Sequence, residues 1–286
     1  MPQSFSLKTI RVSVTLGKGL FSAGGNTKTI EGLACDATVQ KPGLPEKNSA
    51  SVKLWGLPYD DMAQLTMLAF RPLESQYNLL EISAGEKGSA LSLVFQGEIS
   101  SAFADFNQVP DPCMQFEASS GSYPHKIAQS PTTTQGEASA DHLFAQFAQD
   151  AGYSYKNEGV TGSVVNGWYP GSPVEKMTKL ARDIGCDLLI DDGVVVVLPG
   201  GQARSGNAVL LSRDTGLLGY PTFTQDGIAC RCLYNPDLLY DGLIKVESDV
   251  PRATGVWRIT KLTHHLTAYV PGGGNWESQI EAAFNE

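Results

Sequence analysis

Ile10-Arg11-Val12-Ser13-Val14-Thr15-Leu16 places an apolar side chain at every second position and a polar one between each pair. Successive side chains of an extended chain point to opposite faces. A period of two therefore describes a strand with one face on a core and the other toward solvent. The pattern recurs downstream. Val52 and Leu54 alternate with Ser51 and Lys53, and Leu79 to Ser83 is strand-like. Leu91, Leu93 and Phe95 open a strand that runs through Gly97 to Ile99, and Met114, Phe116 and Ala118 mark another. Glycines 17, 19, 24 and 25, Ala84-Gly85, Lys87-Gly88 and Val109-Pro110-Asp111-Pro112 supply turns between these runs. One helix interrupts them: Pro58 suits a first helical position, and Tyr59 to Leu68 follows with Asp60 and Asp61 in its first turn. Short strands at this spacing predict a small barrel or sandwich over residues 1–120.

The composition changes near Ser120. Ser130 to Gly136 (SPTTTQG) is polar and turn-rich, and reads as a linker or exposed loop. Helical spacing follows: Leu143, Phe144, Phe147, Ala148 and Ala151 share a face, and Gly152 suits the C-terminal cap. A second helix is better marked, with Ser172 as N-cap, Pro173 at the first helical position and Glu175 completing a capping box. Val174, Met177, Ala181 and Ile184 form its apolar stripe, and Gly185 ends it. Asp187–Ile190 and Val194–Leu198 flank Asp191-Asp192-Gly193, a hairpin signal. Residues 121–200 therefore read as a small α/β insert.

From residue 201 the β pattern returns. Val209 to Ser212, Ile228 with Cys230 and Cys232, and Ile244 with Val246 are strand candidates, and Asn235-Pro236 turns the chain. Val256 to Leu266 is long, and its apolar phase slips: Trp257 and Ile259, then Leu262, His264 and Leu266. Either a bulge resets the faces or both faces are covered. The expected fold class is mainly β with an α/β insert (α+β overall), with two barrel-like β domains, 1–120 and 201–286, flanking a small α/β domain.

Bulk properties exclude several functions. With 42% hydrophobic and 18% charged residues, the chain can build a core and is not a disordered sequence. A net charge of -9 without a basic run argues against electrostatic capture of nucleic acid. Met1 to Leu7 lacks the basic and apolar regions of a secretory signal. The longest apolar run, Val194 to Leu198, is far short of the roughly 20 residues of a membrane helix. Synthesis and folding in a cytoplasm, with no membrane insertion by this chain, are the expectation. Cys35, Cys113, Cys186, Cys230 and Cys232 form an odd, scattered set, which is no disulfide framework; all five are expected as buried small residues.

The sequence carries no recognisable catalytic signature. His125, His142, His264 and His265 include no H-E-x-x-H and no pair at helical spacing, and adjacent His264 and His265 in a strand point to opposite faces. Glu98, Asp105, Asp191 and Asp192 offer carboxylates but no spacing that singles out a glycosidase pair. No nucleophile elbow is present, and Gly272-Gly273-Gly274 precedes neither a helix nor a Lys-Ser/Thr pair. Trp168, Tyr169, Trp257 and Trp276 are better explained by packing than by a sugar platform. The reading is a non-enzyme with no catalytic, cofactor-binding or metal residues and no cofactor.

The most specific signal is the order Thr215 to Gly227 (TGLLGYPTFTQDG), Leu233-Tyr234-Asn235-Pro236, Gly242, Gly255-Val256-Trp257-Arg258, Leu262 to Leu266 (LTHHL) and Trp276. In the first half, Val52 to Leu57 followed by Asp61-Met62, Ile82 to Gly85 and Phe95 to Ile99 add to it. Over about residues 5 to 280 the chain resembles the baseplate hub protein of contractile-tailed phages, the adaptor between tail tube and spike. The resemblance implies a homotrimer whose two barrel-like domains per subunit form a six-fold-like ring. A tail tube or distal tail protein would sit on one rim and the spike protein on the other, with DNA passing through the lumen without specific contacts, all within the virion tail. The chain is short for that family, which implies that further peripheral domains are missing. The acidic balance suits a bore that repels phosphate, and equally a subunit kept soluble by its charge. A carbohydrate-binding or host-adhesion module of the tail is the alternative, and a muralytic tail enzyme stands behind it.

Overall fold

A computed structural model describes residues 6–21, 24–43, 46–66, 78–107, 111–121 and 129–284. His125, the end of the first helix at Leu68 and the Val109-Pro110 part of one turn lie outside the described residues.

The first β block contains β1 (Lys8–Thr15), β2 (Thr27–Glu31), β3 (Cys35–Lys41), β4 (Ser49–Trp55), helix α1 (Tyr59–Thr66), β5 (Leu79–Glu86), β6 (Ser92–Asp105) and β7 (Cys113–Ser119). The middle segment contains β8 (Gln129–Thr133), β9 (Glu137–Ser139), α2 (Ala140–Ala151), β10 (Ser154–Asn157), β11 (Ser163–Val165), β12 (Trp168–Gly171), α3 (Pro173–Ile184), β13 (Cys186–Asp191) and β14 (Val194–Pro199). The last block contains β15 (Val209–Leu211), β16 (Leu217–Phe223), β17 (Gly227–Leu233), β18 (Leu243–Val246), β19 (Gly255–Ala268) and β20 (Trp276–Phe284).

The chain divides into two compact units. One joins the residues up to Ser119 with Gly206–Glu286, and the other is Ser120–Ser205. The mainly β class with an α/β insert is what the alternation required. The two β blocks share one sheet of 13 strands, in the order β16-β17-β20-β19-β3-β4-β7-β6-β5-β1-β2, with β18 on β19 and β15 on β18. The join is β19 on β3, where Leu262 to Ala268 pairs antiparallel with Lys41 to Cys35. Because that ladder continues from one block into the next, the sheet stays open and neither block closes into a barrel of its own.

Each block nevertheless keeps its own core. Val12, Val39, Val52, Leu80, Phe95 and Phe116 belong to the first, and Ile228, Cys230, Ile244, Trp257, Leu262 and Ile280 to the last. The long strand β19 serves both. It carries a bulge between Ile259 and Lys261 against β20, so Trp257 and Ile259 enter one core before the shift. After it, Leu262 remains in that core and Leu266 and Ala268 reach the other. The phase slip in the sequence is thus a bulge.

In the insert, α3 starts at its capping box and both helices stop at a glycine cap. The Ser172 side chain accepts from the Glu175 backbone, and the Glu175 carboxylate accepts from the Ser172 N–H at 2.8 Å. Gly152 and Gly185 close α2 and α3 in the left-handed conformation. Asp192 and Gly193 both have positive φ (50° and 78°), as the tight turn from β13 to β14 demands. Of the segment expected as a linker or exposed loop, residues 130–133 are strand: β8 pairs with β12 through Thr133–Trp168 and Thr132–Tyr169. Lys176 of α3 explains why so polar a run is ordered. Its side chain is 2% exposed, and its ammonium donates to the Ser130 carbonyl (2.9 Å), Thr132 Oγ1 (3.1 Å) and Gln129 Oε1 (3.2 Å). The Phe147 ring lies on its other side, 5.7 Å from Nζ to the centroid.

Candidate functional site: a polar sheet face

The strands β17, β20, β19, β3, β4 and β7 turn one set of alternating residues to the cores and leave the other set on a shared outer face. Registry fixes which outer residues stand opposite one another. One row runs Arg231–Gln279–Thr263–Gln40–Ser49–Ser119. The next runs Leu233–Glu277–His265–Thr38–Ser51–Glu117, and a third runs Thr267–Asp36–Lys53–Gln115. Hydroxyls and amides dominate. Ser51 Oγ donates to Glu117 Oε1 at 2.8 Å, and Thr38 Oγ1 lies 3.4 Å from His265 Nδ1 across neighbouring strands. Charges on the face nearly cancel: Asp36, Glu117, Glu277 and Glu281 stand among Lys53, Arg231 and Lys261. Lys261 reaches Glu281 at 3.5 Å, and Arg231 reaches Glu277 at 3.9 Å. The net charge of -9 is therefore not concentrated here. At the β16 end the face deepens into a hollow of about 640 Å³, bordered by Tyr220, Arg231, Lys261, His265, Gln40 and Gln279.

Behind this face, the last block's sequence motifs meet at the seam between the two β cores. Tyr234 packs edge-on against His264 (5.3 Å between centroids) and against Trp276 (5.7 Å). His264 Nδ1 lies 2.8 Å from Ser278 Oγ in the interior. Asn235 makes its turn by accepting from the Asp237 N–H at 2.9 Å. A Cβ at Gly43 of the first block would collide with the Tyr240 ring. These motif residues lie where the two blocks join.

The residues weighed for chemistry lie apart or are otherwise engaged. His264 is buried and His265 half-buried on the opposite face, as adjacent strand residues must be. Asp191 is held by Arg204 at 2.9 Å in the insert, Asp105 accepts from the Asn107 N–H, and Glu98 is buried on β6. No group of three or more His, Cys, Asp or Glu suited to a metal occurs among the described residues. Tyr169 and Trp257 are buried, Trp276 is half-buried and Trp168 is exposed, so they share no platform. Of the cysteines, Cys35, Cys113, Cys230 and Cys232 are buried, but Cys186 is half-buried because it opens β13 at the sheet margin. Burial pushes the Cys35 and Cys232 thiols up to about 12, and Cys230 to about 11. No helix among the described residues is long and apolar enough to cross a membrane.

A family model for the baseplate hub gp41 matches residues 9–269. The chain belongs to the baseplate hub gp41 family. It is thus related to structural components of phage tails, which accords with a face built of hydroxyls and amides. The hub fold recurs in solved structures. A tail protein from Neisseria meningitidis MC58 superposes with a TM-score of 0.61 at 10% identity, with 96% of each chain covered. The 43 kDa tail protein of prophage MuSo2 from Shewanella oneidensis gives 0.62 at 10% identity, again with 96% of each chain. The Escherichia coli c3393 protein is a component of the type VI secretion system with structural similarity to T4 tail proteins gp27 and gp5. It gives 0.54 at 10% identity over 87% of this chain and 73% of that one. No curated protein matches in sequence. The first two neighbours are spanned almost end to end.

Proposed function

We propose that three copies of this hub subunit form a ring between the tail tube, or a distal tail protein, and the central spike of a virion tail, and that the polar sheet face lines its bore. The carrying observation is that face: several strands wide, rich in hydroxyl and amide groups, and with charges that nearly cancel. DNA held by cationic contacts gains affinity with each phosphate neutralised. A wall of Thr, Ser and Gln side chains with few free cations offers no such grip, so a duplex passes without being retained. The subunit acts in this reading as a conduit and joint, not as a catalyst. Near-neutrality replaces the phosphate repulsion that the whole-chain charge suggested.

The test is to place cations on the face. Gln40→Lys, Ser51→Lys and Gln279→Lys together should leave tails assembled, slow DNA ejection at low salt and restore it as salt screens the new contacts. Failure of tails to assemble would show the face to be a protein interface. Ejection unchanged at every salt concentration would remove it from the bore.

A further inference from the structure

Asn166-Gly167 is the only Asn-Gly pair in the chain. An asparagine followed by glycine is prone to spontaneous deamidation. The backbone nitrogen of the second residue attacks the asparagine side-chain carbonyl, and a glycine, having no Cβ, leaves that approach open. Packing nevertheless requires both residues here. Asn166 joins β11 to β12 with φ 53°, in the left-handed region that Asn tolerates better than most residues with a Cβ. A Cβ on Gly167 would stand 2.6 Å from the ring of Tyr169, a residue 1% exposed and packed edge-on against Phe147 in the insert core. Replacing the glycine would displace a core aromatic, and replacing the asparagine would strain the turn.

A clasp of four hydrogen bonds answers the hazard. Residues 134–136 link β8 to β9 and lie against the turn. The Thr134 N–H donates to the Gly167 carbonyl at 2.9 Å, and the Asn166 N–H to the Gly136 carbonyl at 3.0 Å. In return, the Gly136 N–H donates to Asn166 Oδ1 at 2.9 Å, and the Gly167 N–H to Thr134 Oγ1 at 2.7 Å. These last two bonds engage the two groups that would react. Ring closure needs the Gly167 nitrogen without its proton, and a proton shared with Thr134 Oγ1 is harder to lose. It also needs the Asn166 amide carbon on that nitrogen, whereas the bond from Gly136 fixes the amide on the neighbouring segment.

We propose that Asn166 is a latent site of spontaneous deamidation and that Thr134 keeps it latent. In the reaction the Gly167 nitrogen loses its proton to solvent and bonds to Asn166 Cγ. The amide nitrogen of Asn166 takes up a proton and leaves as ammonia. Water then opens the succinimide at either carbonyl, so position 166 becomes aspartate or isoaspartate and gains a negative charge. Isoaspartate also adds a carbon to the main chain, which undoes the clasp and the β8–β12 pairing beside it.

The full chain, held in mildly alkaline buffer and followed by peptide mass spectrometry, tests this. Deamidation at Asn166 should be at least about tenfold slower than in the same chain unfolded in urea, since the folded protein must first open locally. Thr134→Val keeps the shape of the side chain and removes the acceptor. It should deamidate about three- to tenfold faster than the wild type, the rate equivalent of one hydrogen bond. Thr134→Ser restores the acceptor and should match the wild type. Hydrogen exchange in α2 and α3 should be the same in all three chains, which separates the guard from a loosened insert. A wild type that reacts at its unfolded rate, or a Thr134→Val chain no faster than the wild type, would overturn the proposal. So would a serine variant as fast as the valine one, or an acceleration that comes only with faster exchange in α2 and α3.

Discussion

The large β unit and the small insert reach order by different routes. In the insert the decisive instructions are local: a capping box four residues long, two closing glycines, a two-residue turn. In the β unit they are distant. Strand β3 lies beside β19, and the polar face exists only because residues more than two hundred positions apart, such as Thr38 and His265, stand opposite each other. A local instruction can be removed with a bounded loss. A shared ladder ties two cores together, so damage to one is felt in both.

Phe116→Ala, in the fully buried first core, should have the largest effect, costing about 3–5 kcal/mol. If the β unit is one cooperative body, urea unfolding followed by fluorescence of Trp257 in the last core, with the other tryptophans replaced by Phe, should shift by the same amount as hydrogen exchange in β4 and β7. Separate transitions would return the two blocks to independence. Lys176→Met comes next. It leaves the acceptors on Gln129, Ser130 and Thr132 without their buried donor, at a cost of about 1–3 kcal/mol. Exchange should accelerate at 129–133 while β17 and β20 keep their protection. Ser172→Ala should cost about 0.5–2 kcal/mol, read in the same way at the start of α3. Gln40→Ala and Thr38→Ala on the outer face should change stability by less than about 0.5 kcal/mol, because these side chains fill no core. A larger loss would mean that the face is needed for folding.

The cysteines divide the molecule by chemistry. At pH 8 a thiol reagent should modify Cys186 well before Cys35, Cys230 and Cys232, which become reactive only on unfolding. Their folded-state values lie above the ordinary 9, so the folded protein holds protons that the unfolded chain releases. Stability should therefore be unaffected by these groups below about pH 9 and fall as pH rises toward 12. Replacing Cys35 by Ala should flatten that decline.

How much of this was legible follows the same division. The caps of α3, the hairpin at Asp192-Gly193, the opposed faces of His264 and His265 and the phase slip in β19 all follow from neighbours within a few positions, whereas the choice between a bulge and two covered faces needed the β20 register. The order of β8 does not, because its polar groups are satisfied by Lys176, which in sequence alone is one more surface cation. The polar face escaped for a related reason. Its Thr, Ser and Gln residues are the outer half of ordinary strand alternation, and alternation names a face without naming its neighbours. Family resemblance supplied the hub reading; the registry supplied the face.

The bulge at Thr260 also carries a message about heredity. Thr260 has no partner position on β20, although its hydroxyl donates to the Glu281 carbonyl at 3.1 Å. Losing this residue would leave Ile259 and Leu262 separated by Lys261 alone, in plain alternation, with both still facing inward. Losing Arg258 instead would turn Ile259 outward and bring Thr260 in. Among descendants of this chain, changes of one residue in the length of β19 should therefore gather at positions 260 and 261, and an alignment that opens its gap farther along the strand would set core residues against solvent ones.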